Sequence, residues 1–116
     1  MNAHDPGVLL VAEVHGLAGR VNELRALLAE LGEATRGEPK STGFRVLASD
    51  EPGELVLLIS WTDEPGLREH YATPHYLGYR GRVGPLLARP SDVVVHHISA
   101  TLHARDPNPP DPGMFG

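Results

Sequence analysis

Cysteine is absent from the 116-residue chain, which excludes disulfides, thiolate nucleophiles and cysteine-held metal or iron–sulfur centres. No apolar run approaches the roughly 20 residues needed to cross a bilayer as a helix. Residues Met1 to Pro6 are polar and lack a cationic segment followed by an apolar stretch. The chain is therefore expected to be neither exported by a signal nor embedded in a membrane, and to reside in the cytoplasm. Lysine is almost missing, with Lys40 alone against nine scattered arginines and a net charge of -5. Nothing here offers the basic stripe that a phosphate backbone requires, so nucleic acid is not an expected partner. The arginine excess, with abundant Ala, Gly and Pro, points to a GC-rich genome. No glycine-rich turn follows a strand, so a tightly held NAD or flavin has no support.

What is present suits a folded domain, since 41% of the residues are hydrophobic and 22% charged. Val8–Val14 is a short apolar run rich in β-branched residues and reads as a buried strand. From Gly19 to Arg36, Val21, Leu24, Leu27, Leu28 and Leu31 recur at three- and four-residue steps, predicting an amphipathic helix that Gly37-Glu38-Pro39 closes. Phe44–Ala48 and Glu54–Trp61 read as strands joined in a hairpin by Asp50-Glu51-Pro52-Gly53. Asp63 is the expected N-cap of a short helix to about Ala72, which Thr73-Pro74 interrupts. A second helical piece is predicted over Pro74–Leu87, weakened by Gly78, Gly81 and Gly84, and a last strand over Asp92–Leu102. The domain then spans 1–105. Residues 106–116, with four prolines in eleven, read as an extended arm for which Met114 and Phe115 are candidate anchors.

Strand, helix, two strands, helices, strand is the order of a ferredoxin-like α+β sandwich, with helices on one face of a four-stranded antiparallel sheet. Apolar residues fall on both faces of Val8-Leu9-Leu10-Val11, Leu55–Ile59 and Val93-Val94-Val95. A bare apolar face of that size needs a cover, and a second identical sheet is the simplest one, so a homodimer is expected.

The stretch from Thr35 to Leu87 resembles the antibiotic-biosynthesis monooxygenase family. Three features carry the resemblance: an Arg-x-Glu-Pro turn (Arg36, Glu38, Pro39), a Trp followed by a His nine residues on (Trp61, His70), and a Thr-Pro-His-aromatic run (Thr73, Pro74, His75, Tyr76). With the flanking strands the likeness covers about Val8 to Leu102. It implies a dimeric α+β barrel with a pocket between sheet and helices in each subunit. It also implies activities that range from cofactor-free oxygenation of phenols or quinols, through haem degradation, to none. Two departures matter. Ile59 stands two positions before the Trp, where the family often has an acidic residue. Val14 stands where the haem-degrading branch has an Asn, and His70 falls one residue short of that branch's haem-ligating His, which disfavours haem.

Oxygenation of a phenol without a cofactor needs a base to ionise it and a group to stabilise the anion. His70 is the candidate base, because histidine titrates near neutrality. Arg80, with Arg82 as neighbour, is the candidate anion stabiliser, and Trp61 the candidate stacking wall. Tyr71, His75, Tyr76 and Tyr79 are candidates to orient an oxygenated aromatic substrate. No cofactor and no metal are expected. His96 and His97 are strand neighbours on opposite faces, and His70 and His75 lie five apart across a proline rather than at helical pair spacing. The reading is thus a cofactor-independent monooxygenase acting on a phenol or hydroquinone, an aromatic polyketide among the options. A ligand-binding or cyclase-like protein of the same fold is the alternative, and haem binding the second.

Overall fold

Alternation of side chains along a strand sends every second residue to the same face, and the four strands use this to build one thick core. The structure is a computed structural model and describes residues 7–102; the proline-rich arm with Met114 and Phe115 lies outside them. The elements run β1 (Gly7–His15), α1 (Val21–Arg36), β2 (Ser41–Ala48), β3 (Glu54–Trp61), α2 (Glu64–Tyr71), α3 (Pro74–Val83), a 3-10 turn (Gly84–Leu86) and β4 (Asp92–Ile98). Strand order is β2-β3-β1-β4, all antiparallel, the ferredoxin-like arrangement expected from the sequence.

Register fixes the two faces. Val8, Leu10, Ala12 and Val14 of β1 stand opposite Trp61, Ile59, Leu57 and Leu55 of β3, and Phe44 of β2 stands opposite Ile59. All nine are buried under the helices. From α1, Leu24, Leu27, Leu28 and Leu31 come down onto them at the spacing of one helical face. Each such aliphatic side chain removed from water contributes roughly 1.5–3 kcal/mol, so this layer carries the fold.

The opposite face has no helix. There Leu9 and Val11 of β1 pair with Ser60 and Leu58 of β3, and with His96 and Val94 of β4. Leu47, Val56 and Leu58 extend the same face, with Val94 54% exposed and Leu47 39% exposed. The expected apolar outer surface is therefore present, with Arg45, Glu13 and His96 around it.

Element ends follow local chemistry. Gly53 closes the β2–β3 hairpin with φ 81°, a left-handed conformation that glycine adopts without strain. Asp63 caps α2 by accepting the Gly66 N–H at 2.9 Å. Thr73 caps α3 by accepting the Tyr76 N–H at 3.2 Å, so capping at this junction falls to Thr73 and leaves His75 free. Two expectations need correction. The last strand stops at Ile98 rather than Leu102, because the chain bends at Ser99 and leaves the extended conformation. The helix expected to reach Leu87 stops at Val83, where Gly84-Pro85 turns it into a 3-10 turn, since proline cannot donate to a continuing helix.

Candidate functional site

Where the helix layer thins toward β4, the covered side of the sheet leaves a cavity of about 760 Å³. Its floor is apolar, with Leu10 and Ala12 from β1, Leu57 and Ile59 from β3, and Val93 from β4. Polar groups enter from the helices: His70 and Tyr71 end α2, while Tyr76, Tyr79 and Arg80 come from α3. An apolar cavity with a few convergent polar groups is the usual form of a small-molecule site. Arg80 sits exposed at its edge, and Arg82 points elsewhere, to Glu30 on α1 at 3.3 Å.

Behind His70 lies a residue that sequence reasoning used only as part of a turn. Glu38, in the connection from α1 to β2, buries its carboxylate beneath α2 and α3, with its side chain 9% exposed. Its Oε1 accepts the indole Nε1–H of Trp61 at 2.9 Å. Its Oε2 accepts from His70 Nδ1 at 2.7 Å and from His75 Nε2 at 2.5 Å. Four positions spread over 38 residues of sequence thus meet at one carboxyl group. The signal was present in the text: the Arg-x-Glu-Pro turn, the Trp and the two His all belonged to the same resemblance.

Two site expectations change accordingly. Trp61 does not line the cavity; it is 1% exposed, its ring centroid is 5.0 Å from that of His70, and its N–H clamps Glu38. His75 does not line it either, because its ring sits on the far side of the shared carboxylate oxygen, in the groove between α1 and α3. His70, Tyr71, Tyr76, Tyr79 and Arg80 all border the cavity as expected.

Electrostatics follow from this packing. Burial holds His70 below the ordinary histidine value of 6.5, against the opposing pull of Glu38. Burial would lift Glu38, but the hydrogen bonds from His70, His75 and Trp61 together outweigh it and hold the carboxyl below its ordinary value. His70 is thus a neutral imidazole at pH 7, with its Nδ1–H committed to Glu38. Among the described residues nothing hydrogen-bonds its Nε2, which keeps its lone pair. Burial, with Tyr76 adding to it, raises Tyr71 and pushes Tyr79 up to about 12, so both remain protonated donors.

Two clusters bring three ligand-type atoms within 4.8 Å of one another: Glu38, His70 and His75; and Glu13, His15 and Asp92. The sequence-spacing argument against the first fails, because the Thr73-Pro74 break folds His75 back to His70. Nitrogen-to-oxygen separations of 2.5 and 2.7 Å are hydrogen-bond distances. Ligands on a tetrahedral ion at about 2.0–2.1 Å stand roughly 3.3 Å apart. Both rings are spaced for shared protons.

Residues 7–82, which contain Glu38, Trp61, His70, Tyr71, His75, Tyr76, Tyr79 and Arg80, match the family described as antibiotic biosynthesis monooxygenase. The chain belongs to the antibiotic biosynthesis monooxygenase family. Within it, the chain is 43% identical over 72 residues to the Mycobacterium tuberculosis protein named "Putative monooxygenase Rv0793", covering 62% of this chain and 71% of that one. The solved structure of Rv0793 superposes with a TM-score of 0.76 at 36% identity, covering 84% of this chain and 97% of that one. Protein SO0527 from Shewanella oneidensis follows with a TM-score of 0.73 and 26% identity, over 80% of this chain and 91% of that one. Membership in this family rests on the same segment that builds the cavity.

Proposed function

We propose that this family member is a cofactor-independent monooxygenase that oxidises a phenolic or hydroquinone-type aromatic with dioxygen. One observation carries the reading: a buried, neutral histidine borders an apolar cavity while its other nitrogen is fixed by a carboxylate. A flat aromatic fits the floor of Leu10, Ala12, Leu57 and Ile59, with its hydroxyl toward the helix side.

The chemistry balances without further reagents. His70 Nε2 takes the phenolic proton, and the phenolate formed is electron-rich enough to give one electron to dioxygen, which the neutral phenol is not. Superoxide and phenoxyl radical combine at an unsubstituted ring carbon ortho or para to the oxygen to form a carbon–oxygen bond. The peroxide anion takes the proton back from His70 Nε2, and the hydroperoxide loses water, taking the hydrogen of that carbon with it, and leaves a quinone. The sum is phenol plus dioxygen to quinone plus water. Arg80 stabilises the phenolate as it forms, and the hydroxyls of Tyr71, Tyr76 and Tyr79 supply donors to substrate oxygens.

The apolar outer face of the sheet supports a homodimer, packed face to face through Leu9, Val11, Val56, Leu58 and Val94. Burying them removes a patch that monomers rarely leave in water.

The test is oxygen uptake by metal- and flavin-free protein with an anthrone or hydroquinone panel. Turnover is expected, and His70→Ala should slow it by on the order of 10²-fold or more. Ile59 favours a second reading, because it places an aliphatic side chain on the cavity floor at the position where the family resemblance implies an acid. In that case the same base moves a proton without oxygen, as a cyclase or isomerase does. Product formation under strict anaerobiosis selects it, and failure of the whole panel in air removes the first.

A further inference from the structure

Two buried histidines in this chain meet carboxylates in opposite ratios. His15, at the end of β1, gives Nδ1 to Glu54 at 2.5 Å and Nε2 to Asp92 at 2.8 Å. A ring whose two nitrogens both donate is an imidazolium, and it has no lone pair left for chemistry. At His70 the ratio is reversed. One carboxylate, Glu38, serves two imidazoles and an indole, with a single oxygen divided between His70 and His75.

We infer that Glu38 is the positioning residue for His70, and that His75, by drawing on the same oxygen, limits the negative charge His70 receives and so keeps it a neutral base with Nε2 free at the cavity. The kinetic consequences rest on the oxygenase reading; the geometry does not.

Side chains from four segments surround the His70 ring. Glu38 comes from the α1–β2 connection, Trp61 from β3, Tyr71 from α2 itself, and His75 and Tyr76 from α3, with ring centroids between 5.0 and 5.9 Å. Arg80 of α3 borders the same cavity. Of the groups touching the ring, Glu38 alone is an anion and His75 alone can become a cation. An unshared Glu38 would hold its full charge against His70 Nδ1–H, favouring a second proton on Nε2 and removing the base. A missing Glu38 would release the ring to flip or change tautomer. Sharing avoids both outcomes. The backbone that carries the ring is also held, since Thr73 Oγ1 donates to the His70 carbonyl at 2.7 Å and ties α2 to the start of α3.

The experiment is imidazole nitrogen NMR across a pH titration of the full chain, for wild type, His75→Ala, His75→Gln and Glu38→Gln. His75 lies partly exposed at a helix start, so its variants should fold. His75→Ala removes a donor from Glu38 and should move the His70 titration up. His75→Gln restores a donor and should return it toward wild type, while Glu38→Gln removes the anion and should move it down. In the oxygen assay the acid limb of the kcat/KM profile should follow the same order. Glu38→Gln should lower kcat by on the order of 10²-fold.

A His70 titration that is the same in His75→Ala as in wild type overturns the inference, and so does one that moves identically in both His75 variants. The NMR readout needs no substrate. If the sign pattern holds while no aromatic is turned over, the oxygenase reading falls and the charge-sharing assignment stands.

Discussion

Alanine in place of glycine should change stability with opposite sign at two places in this fold. In α3, Gly78 and Gly81 lie exposed, and a Cβ built at either meets nothing within 4 Å. Neither position therefore has a packing reason to be glycine, and α3 buries none of its residues. Glycine in a helix interior costs about 0.8–1.0 kcal/mol relative to alanine. The double variant Gly78→Ala/Gly81→Ala should gain about 1.5–2 kcal/mol, raising Tm by roughly 5–10 °C at fixed protein concentration. Gly32 in α1 is the counter-case. A Cβ there would stand 2.7 Å from Cδ1 and Cε1 of Phe44, a ring that is itself buried. Overpacking of that kind costs about 1–3 kcal/mol, so Gly32→Ala should lower Tm. Urea unfolding with an unchanged slope would show that the native state alone has moved. Amide exchange should slow in α3 of the double variant. A neutral or destabilising double variant would refute the reasoning, because it would mean that α3 uses its glycines in some conformation other than the helix described.

Other consequences are equally direct. Hydrogen bonds first to Asp92 and then to Glu54 raise His15 above the ordinary 6.5, so the native state holds this proton more tightly than the unfolded chain. Its stabilisation is complete below that ordinary value and is lost as pH rises through the raised one; His15→Gln should flatten the alkaline decline in Tm measured by thermal scans. His70 has the reverse sign, since its lowered value makes the unfolded chain the better proton acceptor, and stability should fall as pH drops below 6.5 unless His70 is replaced. Leu58→Glu, on the uncovered face, should turn a sedimenting dimer into a monomer, and an unaltered sedimentation coefficient would refute the face-to-face packing.

The sheet was legible because its information is local and periodic. Val8 to Val14 and Glu54 to Trp61 place apolar residues on both faces, interrupted only by Glu13, Glu54 and Ser60, a pattern that reads as buried strand. Helix α1 was legible for the same reason, with Leu24, Leu27, Leu28 and Leu31 on one stripe. Boundaries were less so. β4 ends at a bend at Ser99, which the run Asp92–Leu102 does not announce, since Ile98, Ala100 and Leu102 continue the strand-like alternation. Trp61 was misassigned because a large aromatic at a strand end suits a cavity wall and a core equally. What decides its role is the Glu38 oxygen opposite its N–H, 23 residues away in sequence.

Proton state was the least legible property, and the histidines explain why. Seven occur in the chain, and residue type gives each the same starting value near neutrality. His15 and His70 are buried to similar degrees, at 5% and 1% exposure, so burial alone does not separate them either. They diverge through stoichiometry: two carboxylates converge on His15, one from β3 and one from β4, whereas His70 competes with His75 for one. The first arrangement consumes both ring nitrogens and ties three strands together; the second leaves a nitrogen free where the helices stand off from the sheet. The shortage of anions at His70 is created by the Thr73-Pro74 break that turns His75 back onto Glu38.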